Sequence, residues 1–108
     1  MTVNELSRME DFSPVVLADA DRDIDGVYIG DLLSWVMGKA TSGDAWITIM
    51  SNINILAVAS LTDSACVVLA EGVTLEEDIK NAAKSKGINV ISSQLSAYDI
   101  ALRLSQAI

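Results

Sequence analysis

The 108-residue chain contains no histidine, one cysteine, one proline and only seven basic residues. Without histidine it lacks the side chain that most often serves as a general base near neutral pH or as a zinc ligand. The single cysteine, Cys66, cannot form a disulfide within the chain, and its apolar surroundings (65–69) predict a buried thiol. These absences argue against the commonest hydrolase, metalloprotein and disulfide-scaffold classes.

Basic residues are outnumbered by fifteen acidic ones, which leaves a net charge of −8. Nucleic acids and anionic membranes are bound through clusters of lysine and arginine, and no such cluster occurs here. We therefore expect no nucleic-acid partner and no membrane partner. No apolar run reaches the roughly 18 residues of a membrane-spanning helix. The first residues also lack the basic and then apolar order of a signal peptide, so we expect a cytoplasmic protein.

Catalytic motifs are missing as well. The chain has no G-x-x-x-x-G-K-[ST] or G-x-G-x-x-G phosphate loop and no G-x-S-x-G elbow. The paired carboxylates Asp21/Asp23 and Glu76/Glu77 are typical of a solvated loop and of a helix start. We therefore predict a protein that is not an enzyme and has no cofactor and no metal site. An unrecognised site with Asp31 or Glu71 as base is the remaining enzymatic alternative.

What the chain does have is a strand, helix and strand pattern between residues 44 and 70. We predict a buried strand (45–49), a polar turn (50–52), an apolar helix (53–61) and a second buried strand (65–70). A crossover of this length makes the two strands parallel. Further strands are predicted at 15–17, 24–29 and 88–91, and further helices after Thr2, at 32–39, after Thr74 and after Ser96.

Together these elements predict a single α/β domain (1–108) with a mostly parallel sheet of four to five strands flanked by helices. Strands and helices alternate after residue 24. Side chains able to cap free backbone N–H groups stand at the helix starts. We predict capping pairs at Thr2/Glu5, Thr74/Glu77 and Ser96/Asp99, and a cap from Ser51 or Asn52.

The helix at 53–61 is apolar around its whole circumference. Ile53, Leu56, Ala57 and Leu61 form one face, and Ile55, Val58 and Ala59 form the other. Such a helix must be covered on both sides, by the sheet on one and by a neighbouring helix or a second subunit on the other. We expect a homodimer whose interface contains Trp35, Ile55, Leu56 and Val58.

Small polar residues follow the predicted strands. In an open parallel sheet the loops after the strands meet at one edge, where ligands bind. Backbone amides and polar side chains at a helix start, as at Ser51 and Asn52, can hold an anion. Taken singly, each position is also typical of an ordinary cap or turn. The candidate ligand-binding residues are Gly30, Asp31, Ser51, Asn52, Glu71, Gly72, Ser92 and Ser93.

The order of these segments resembles the DRTGG-type domains, which are related to the N-terminal domain of HPr kinase/phosphatase. The first two segments are also similar to the substrate-recognition domain of Mur ligases. The likeness extends from Ile24 onward, but no Asp-Arg-Thr-Gly-Gly run is present. The segments that carry it are 24–34, 43–48, 57–61, Glu71-Gly72, 82–84, Gly87-Ile88 and 95–98.

The resemblance implies a regulatory module that accompanies kinase, phosphotransacetylase or CBS domains and lacks their chemistry. Stand-alone forms near hydrogenase and other electron-transfer genes imply an accessory role. We therefore expect a non-catalytic domain that binds a small anionic ligand or a partner protein. The alternative is a phosphorylatable switch similar to the anti-sigma antagonists, with Ser34, Ser51 or Ser96 as the target.

Overall fold

The computed structural model describes all 108 residues. Helices and strands follow one another as the periodicity of the sequence predicts. In chain order they are α1 (Val3–Ser7), β1 (Phe12–Val16), β2 (Gly26–Ile29), α2 (Leu33–Lys39), β3 (Asp44–Thr48), α3 (Asn54–Thr62), β4 (Cys66–Leu69), α4 (Glu77–Ser85), β5 (Val90–Ser93) and α5 (Ala97–Ala107).

The five strands form one sheet in the order β1-β5-β4-β3-β2. Strands β2 to β5 are parallel to their neighbours, and β1 runs antiparallel to β5, with Phe12 opposite Ser93. The predicted α/β fold with a mostly parallel sheet is confirmed. Because β1 is reversed, its first residues lie at the edge where the parallel strands end.

Side chains of the central strands alternate between the two faces of the sheet. Trp46 and Val67 point into a core cluster with α2, α3 and α4, whereas Ile47 and Val68 point into a second cluster with α1 and α5. Successive right-handed crossovers that advance in one direction place α2, α3 and α4 on the same face. The indole N–H of buried Trp46 donates to the carbonyl of Gly30 at 2.8 Å, which satisfies its one polar atom.

Helix α3 corrects one sequence-based expectation. Ile55 and Leu56 are fully buried and Val58 is 4% exposed, under the sheet and the neighbouring helices of the same chain. The residues expected at the dimer interface therefore pack inside this chain, whereas Ile53 (53% exposed) and Leu61 (74% exposed) point outward. Both halves of the helix are apolar, so periodicity alone could not tell which half meets the sheet.

The surface of α2 carries the other residue expected at an interface. Trp35 is 60% exposed, and the Lys39 ammonium lies 5.1 Å from the centre of its ring. Within the same helix only Val36 is fully buried. None of the helices is both long enough and apolar enough to span a bilayer.

Several boundaries and caps differ from the predicted ones. Strand β1 begins at Phe12 and strand β5 extends to Ser93, so Ser92 and Ser93 lie inside β5 rather than after it. Helix α4 begins at Glu77, and no Thr74 capping pair forms, because buried Leu75 holds the preceding loop against the core. The predicted caps by Thr2 and Ser96 are present. The N-cap of α3 is Ile53, without a side-chain cap bond, and Asn52, one residue earlier, accepts from the first helical N–H, that of Asn54.

Candidate functional site

A cleft of about 660 Å³ opens at the edge where the parallel strands end. One wall is the β3–α3 loop, and the other is the loop and first turn of α4. Its position matches the general location of ligand sites in open α/β sheets. The cleft is lined by Ser51, Asn52, Ile53, Thr74, Leu75, Glu76, Asp78 and Ile79.

Asn52 shapes the first wall by starting α3. Its backbone carbonyl accepts from the N–H of Ile55 at 3.2 Å, and its side-chain Oδ1 accepts from the N–H of Asn54 at 2.9 Å. These two bonds satisfy amides that the helix itself leaves unpaired. The side-chain NH₂ group of Asn52 makes no hydrogen bond within the chain, so it is free to donate to a bound molecule.

The second wall combines an apolar base with an acidic rim. Leu75 and Ile79 are 5% and 7% exposed and belong to the core cluster under α3 and α4. Glu76 and Asp78 are exposed, and one Asp78 carboxylate oxygen accepts from the N–H of Ile79 at 3.0 Å. No lysine or arginine lines the cleft. Its chemistry therefore suits a partly apolar molecule with neutral or cationic polar groups.

A smaller cleft of about 260 Å³ lies on the other side of Thr74. Gly72 is at the turn between the two clefts with φ of +74°, and a Cβ there would lie 2.6 Å from the side-chain oxygen of Gln94. Only glycine fits this position without displacing Gln94. The smaller cleft is lined by Asp11, Phe12, Ser13, Gly72, Val73, Thr74, Ser92, Ser93 and Gln94.

Five of the eight predicted ligand residues line one of these two clefts. Ser51 and Asn52 line the larger one, and Gly72, Ser92 and Ser93 line the smaller one. These five residues therefore lie at the edge where the parallel strands end, divided between two clefts.

The other three predicted residues line neither cleft. Glu71 lies in the turn after β4 with φ of +60°. Asp31 holds the sheet edge together, because one carboxylate oxygen accepts from the Thr48 hydroxyl at 2.8 Å and from the N–H of Ile49 at 3.0 Å. The Gly30 carbonyl accepts the indole N–H of Trp46.

Sequence reasoning missed two parts of the edge. The segment 74–79 was assigned to a helix beginning after Thr74, although the end of β4 already implied that this loop reaches the edge. The segment 11–13 was missed because nothing in the sequence signals that β1 pairs antiparallel with β5.

The ionisable groups with shifted pKa values lie outside the clefts. A hydrogen bond from Arg22, at 3.0 Å, and a second from Ser42 lower the pKa of Asp63 at the C-terminal end of α3. Burial raises the pKa of the Cys66 thiol to about 12, so the thiol stays protonated at neutral pH. A protonated, buried thiol is a poor nucleophile.

The chain was compared with known protein families and with solved structures. The chain is similar to the regulatory region of Clostridium perfringens pyrophosphatase, whose CBS and DRTGG domains were crystallised with the activator diadenosine tetraphosphate. The match has a TM-score of 0.64 and 17% identity, and it covers 86% of this chain. The chain spans 40% of that structure. No curated protein sequence matches it.

The DRTGG domain family matches residues 9–107, which is nearly the whole chain. The matched segment includes all five strands and both clefts. The resemblance drawn from the sequence is thereby confirmed at the level of the family. This chain belongs to the DRTGG domain family.

Proposed function

We propose that the chain is a non-catalytic regulatory module that binds a small molecule in the larger cleft at the strand ends. The main support is the cleft between the β3–α3 loop and the start of α4. Its volume of about 660 Å³ is in the usual range for small-molecule sites. Its apolar base and polar rim support binding rather than reaction, because no nucleophile and base are paired there. The similarity to a regulatory region supports the same conclusion.

The charge of the cleft bears on which part of a ligand it holds. The similar pyrophosphatase region was crystallised with a polyanionic nucleotide. Here Glu76 and Asp78 line the cleft, and no basic side chain opposes them. Phosphate groups are repelled by these carboxylates, whereas a purine base and a ribose offer apolar area and neutral hydrogen-bonding groups. We propose a nucleoside-like ligand whose charged groups, if it has any, point away from this cleft.

Titration followed by amide NMR shifts tests this proposal. Adenosine, AMP and diadenosine tetraphosphate serve as probes, and we expect adenosine to move the amides of Ser51, Asn52 and Thr74 at lower concentration than AMP does. A Thr74→Ala variant removes a hydroxyl that borders both clefts, and we expect it to weaken binding.

The matched control is Thr41→Ala, which changes an exposed threonine in the turn before β3. Binding should be unchanged in this variant. Shifts confined to residues outside the larger cleft, or no shifts with any of the three probes, would refute the proposed site.

We also propose that the module is a homodimer. Seven of its eleven exposed large apolar side chains lie between residues 29 and 61, although this segment is less than a third of the chain. A concentration of exposed apolar side chains is typical of an interaction site. Sedimentation equilibrium at micromolar concentration tests the proposal, and a monomer at all concentrations would refute it.

The phosphorylation alternative stays a prediction. Ser34 is exposed on α2, Ser51 is half-buried at the cleft, and the Ser96 hydroxyl accepts from the N–H of Asp99 at 3.1 Å. Intact mass after incubation with cell extract and ATP distinguishes the two functions. No added phosphate removes the switch, and stoichiometric phosphate on one of these serines would favour it over the ligand-binding module.

A further inference from the structure

The outward side of α3 carries a row of apolar residues that no other part of the chain covers. Ile53, Ala57 and Leu61 are spaced four residues apart, so they lie on one line along the helix, and all three are exposed. Ile53 and Leu61 leave 53% and 74% of their surface open. The buried residues of the helix occupy the opposite half. The folded chain therefore does not use these three apolar side chains in its own core.

Helix α2 extends this surface, because it packs beside α3 on the same face of the sheet. Leu32, Trp35 and Met37 are 62%, 60% and 47% exposed. We call the outward side of the two helices the α2–α3 face. It is defined by Leu32, Ser34, Trp35, Met37, Gly38, Ile53, Ala57, Ser60 and Leu61.

The α2–α3 face is also the uncharged part of a strongly charged molecule. No charged residue occurs between 45 and 62 or between 32 and 38, although the chain carries 22 charged residues and a net charge of −8. The charges that flank these segments include Asp31, Lys39, which lies above the ring of Trp35, and Asp63. Two copies of an acidic protein repel each other least when they meet through such a surface.

The absence of charge on the α2–α3 face also determines which kind of partner is complementary to it. In a two-fold dimer the identical patch lies on both subunits, so like charges tend to meet unless the patch is uncharged or mixed. An apolar face without charge is complementary to itself. Its five large side chains expose on the order of 500 Å² together, and the small residues between them add to this. A standard-size interface buries about 800 Å² on each partner, so these five side chains alone would supply more than half of that area.

We infer that the α2–α3 face is where a second copy of this chain docks. The inference rests on the homodimer proposed above and adds its location. It replaces Ile55, Leu56 and Val58, the residues expected from the sequence, with Ile53, Ala57 and Leu61 on the other side of the same helix. Trp35 is common to the expected and the inferred interface.

Charged substitutions tested by analytical ultracentrifugation locate the interface. In a Leu61→Glu variant each subunit would have to bury an unpaired carboxylate, so we expect the dimer dissociation constant to rise roughly 100-fold or more. Leu102→Glu is the matched control, because Leu102 is 42% exposed on α5, against the other face of the sheet. This variant should dimerise like the wild type.

An Ala57→Glu variant controls for misfolding, because Ala57 is exposed and belongs to neither cleft and to neither core cluster. Its circular dichroism and melting temperature at low concentration should match those of the monomeric Leu61→Glu protein, and its dimer should also dissociate. A wild-type dimer that survives both the Leu61→Glu and the Ala57→Glu change would overturn the location and leave the homodimer standing. A wild-type monomer would overturn both.

Discussion

Helices α3 and α4 invite comparison because both connect neighbouring parallel strands, yet their outward sides differ. Each has nine residues, each lies on the same face of the sheet, and both contribute to the same core cluster. The outward side of α4 carries Glu77, paired with Lys80 at 3.6 Å, and Lys84. The outward side of α3 carries no charge. Packing against the core, which buries five residues of α3 and two of α4, therefore constrains only the inward sides of these helices.

The difference shows that the outward side of α3 is not explained by folding. A solvated helix face is ordinarily polar, as it is in α4. Apolar residues such as Leu61 lower solubility when they are exposed, and nothing in this chain covers them. Docking of a second copy on the α2–α3 face would supply the missing cover.

The largest expected effect is on the free energy of unfolding, when a side chain on the buried side of α3 is shortened. Leu56→Ala should lower the free energy of unfolding by about 3 kcal/mol, because it removes a fully buried side chain and leaves a cavity. Ile79→Ala in α4 should have a similar effect. Urea unfolding in the Leu61→Glu background measures both without a contribution from association.

The outward counterpart is Leu61→Ala, which we expect to change the stability of the monomer by less than about 0.5 kcal/mol. If Leu56→Ala instead left the stability of the monomer unchanged and weakened dimerisation, Leu56 would belong to the interface, as the sequence predicts.

The C-terminal ends of the two helices give a smaller effect. Helix α4 is followed by Gly87 with φ of +72° and no atom within 4 Å of an added Cβ, so Gly87→Ala is strained by backbone conformation alone. We expect a loss of about 1.5 kcal/mol in urea unfolding. Gly38→Ala, within α2 where no positive φ is needed, is the control and should be neutral or stabilising.

The N-terminal ends differ by a hydrogen bond. Asn52→Ala should cost about 1 kcal/mol of stability, because the amide of Asn54 loses its acceptor. Glu76 precedes α4 without a side-chain cap bond, so Glu76→Ala should cost less than about 0.5 kcal/mol. Equal losses in thermal unfolding would mean that the Asn52 bond contributes nothing to α3.

The smallest effect concerns Asp63, which ends α3 with φ of +53° where α4 has a glycine. Arg22 and Ser42 lower its pKa from the ordinary value of 3.8. Its contribution to stability is therefore present above that ordinary value and is lost as the pH falls through the lower folded-state pKa.

We expect Asp63→Asn to flatten the pH dependence of stability below about pH 4, since the variant has no carboxyl group to titrate there. The change should be small because the pair is exposed to solvent and screened by it. Unfolding curves of wild type and variant from pH 6 to pH 2.5 measure it. Parallel curves would show that Arg22 does not act on Asp63.

Local signals in the sequence predicted much of the fold. The alternation of apolar runs with turns gave the parallel strands, and Thr2, Asn52 and Ser96 gave three helix starts. Thr74 failed as a cap because buried Leu75 shifts the start of α4 to Glu77. One wall of the larger cleft was predictable from the same local signals. Ser51 and Asn52 follow a strand whose end is indicated by the apolar pattern.

The sequence by itself determined the family, the parallel sheet and the uncharged character of residues 45–62, since all three depend on the order of residue types along the chain. Tertiary structure alone decided which half of α3 faces the sheet and that residues 11–13 line the smaller cleft. Burial of one apolar half rather than the other, and antiparallel pairing of β1 with β5, depend on contacts between segments far apart in the chain. No local pattern encodes such contacts.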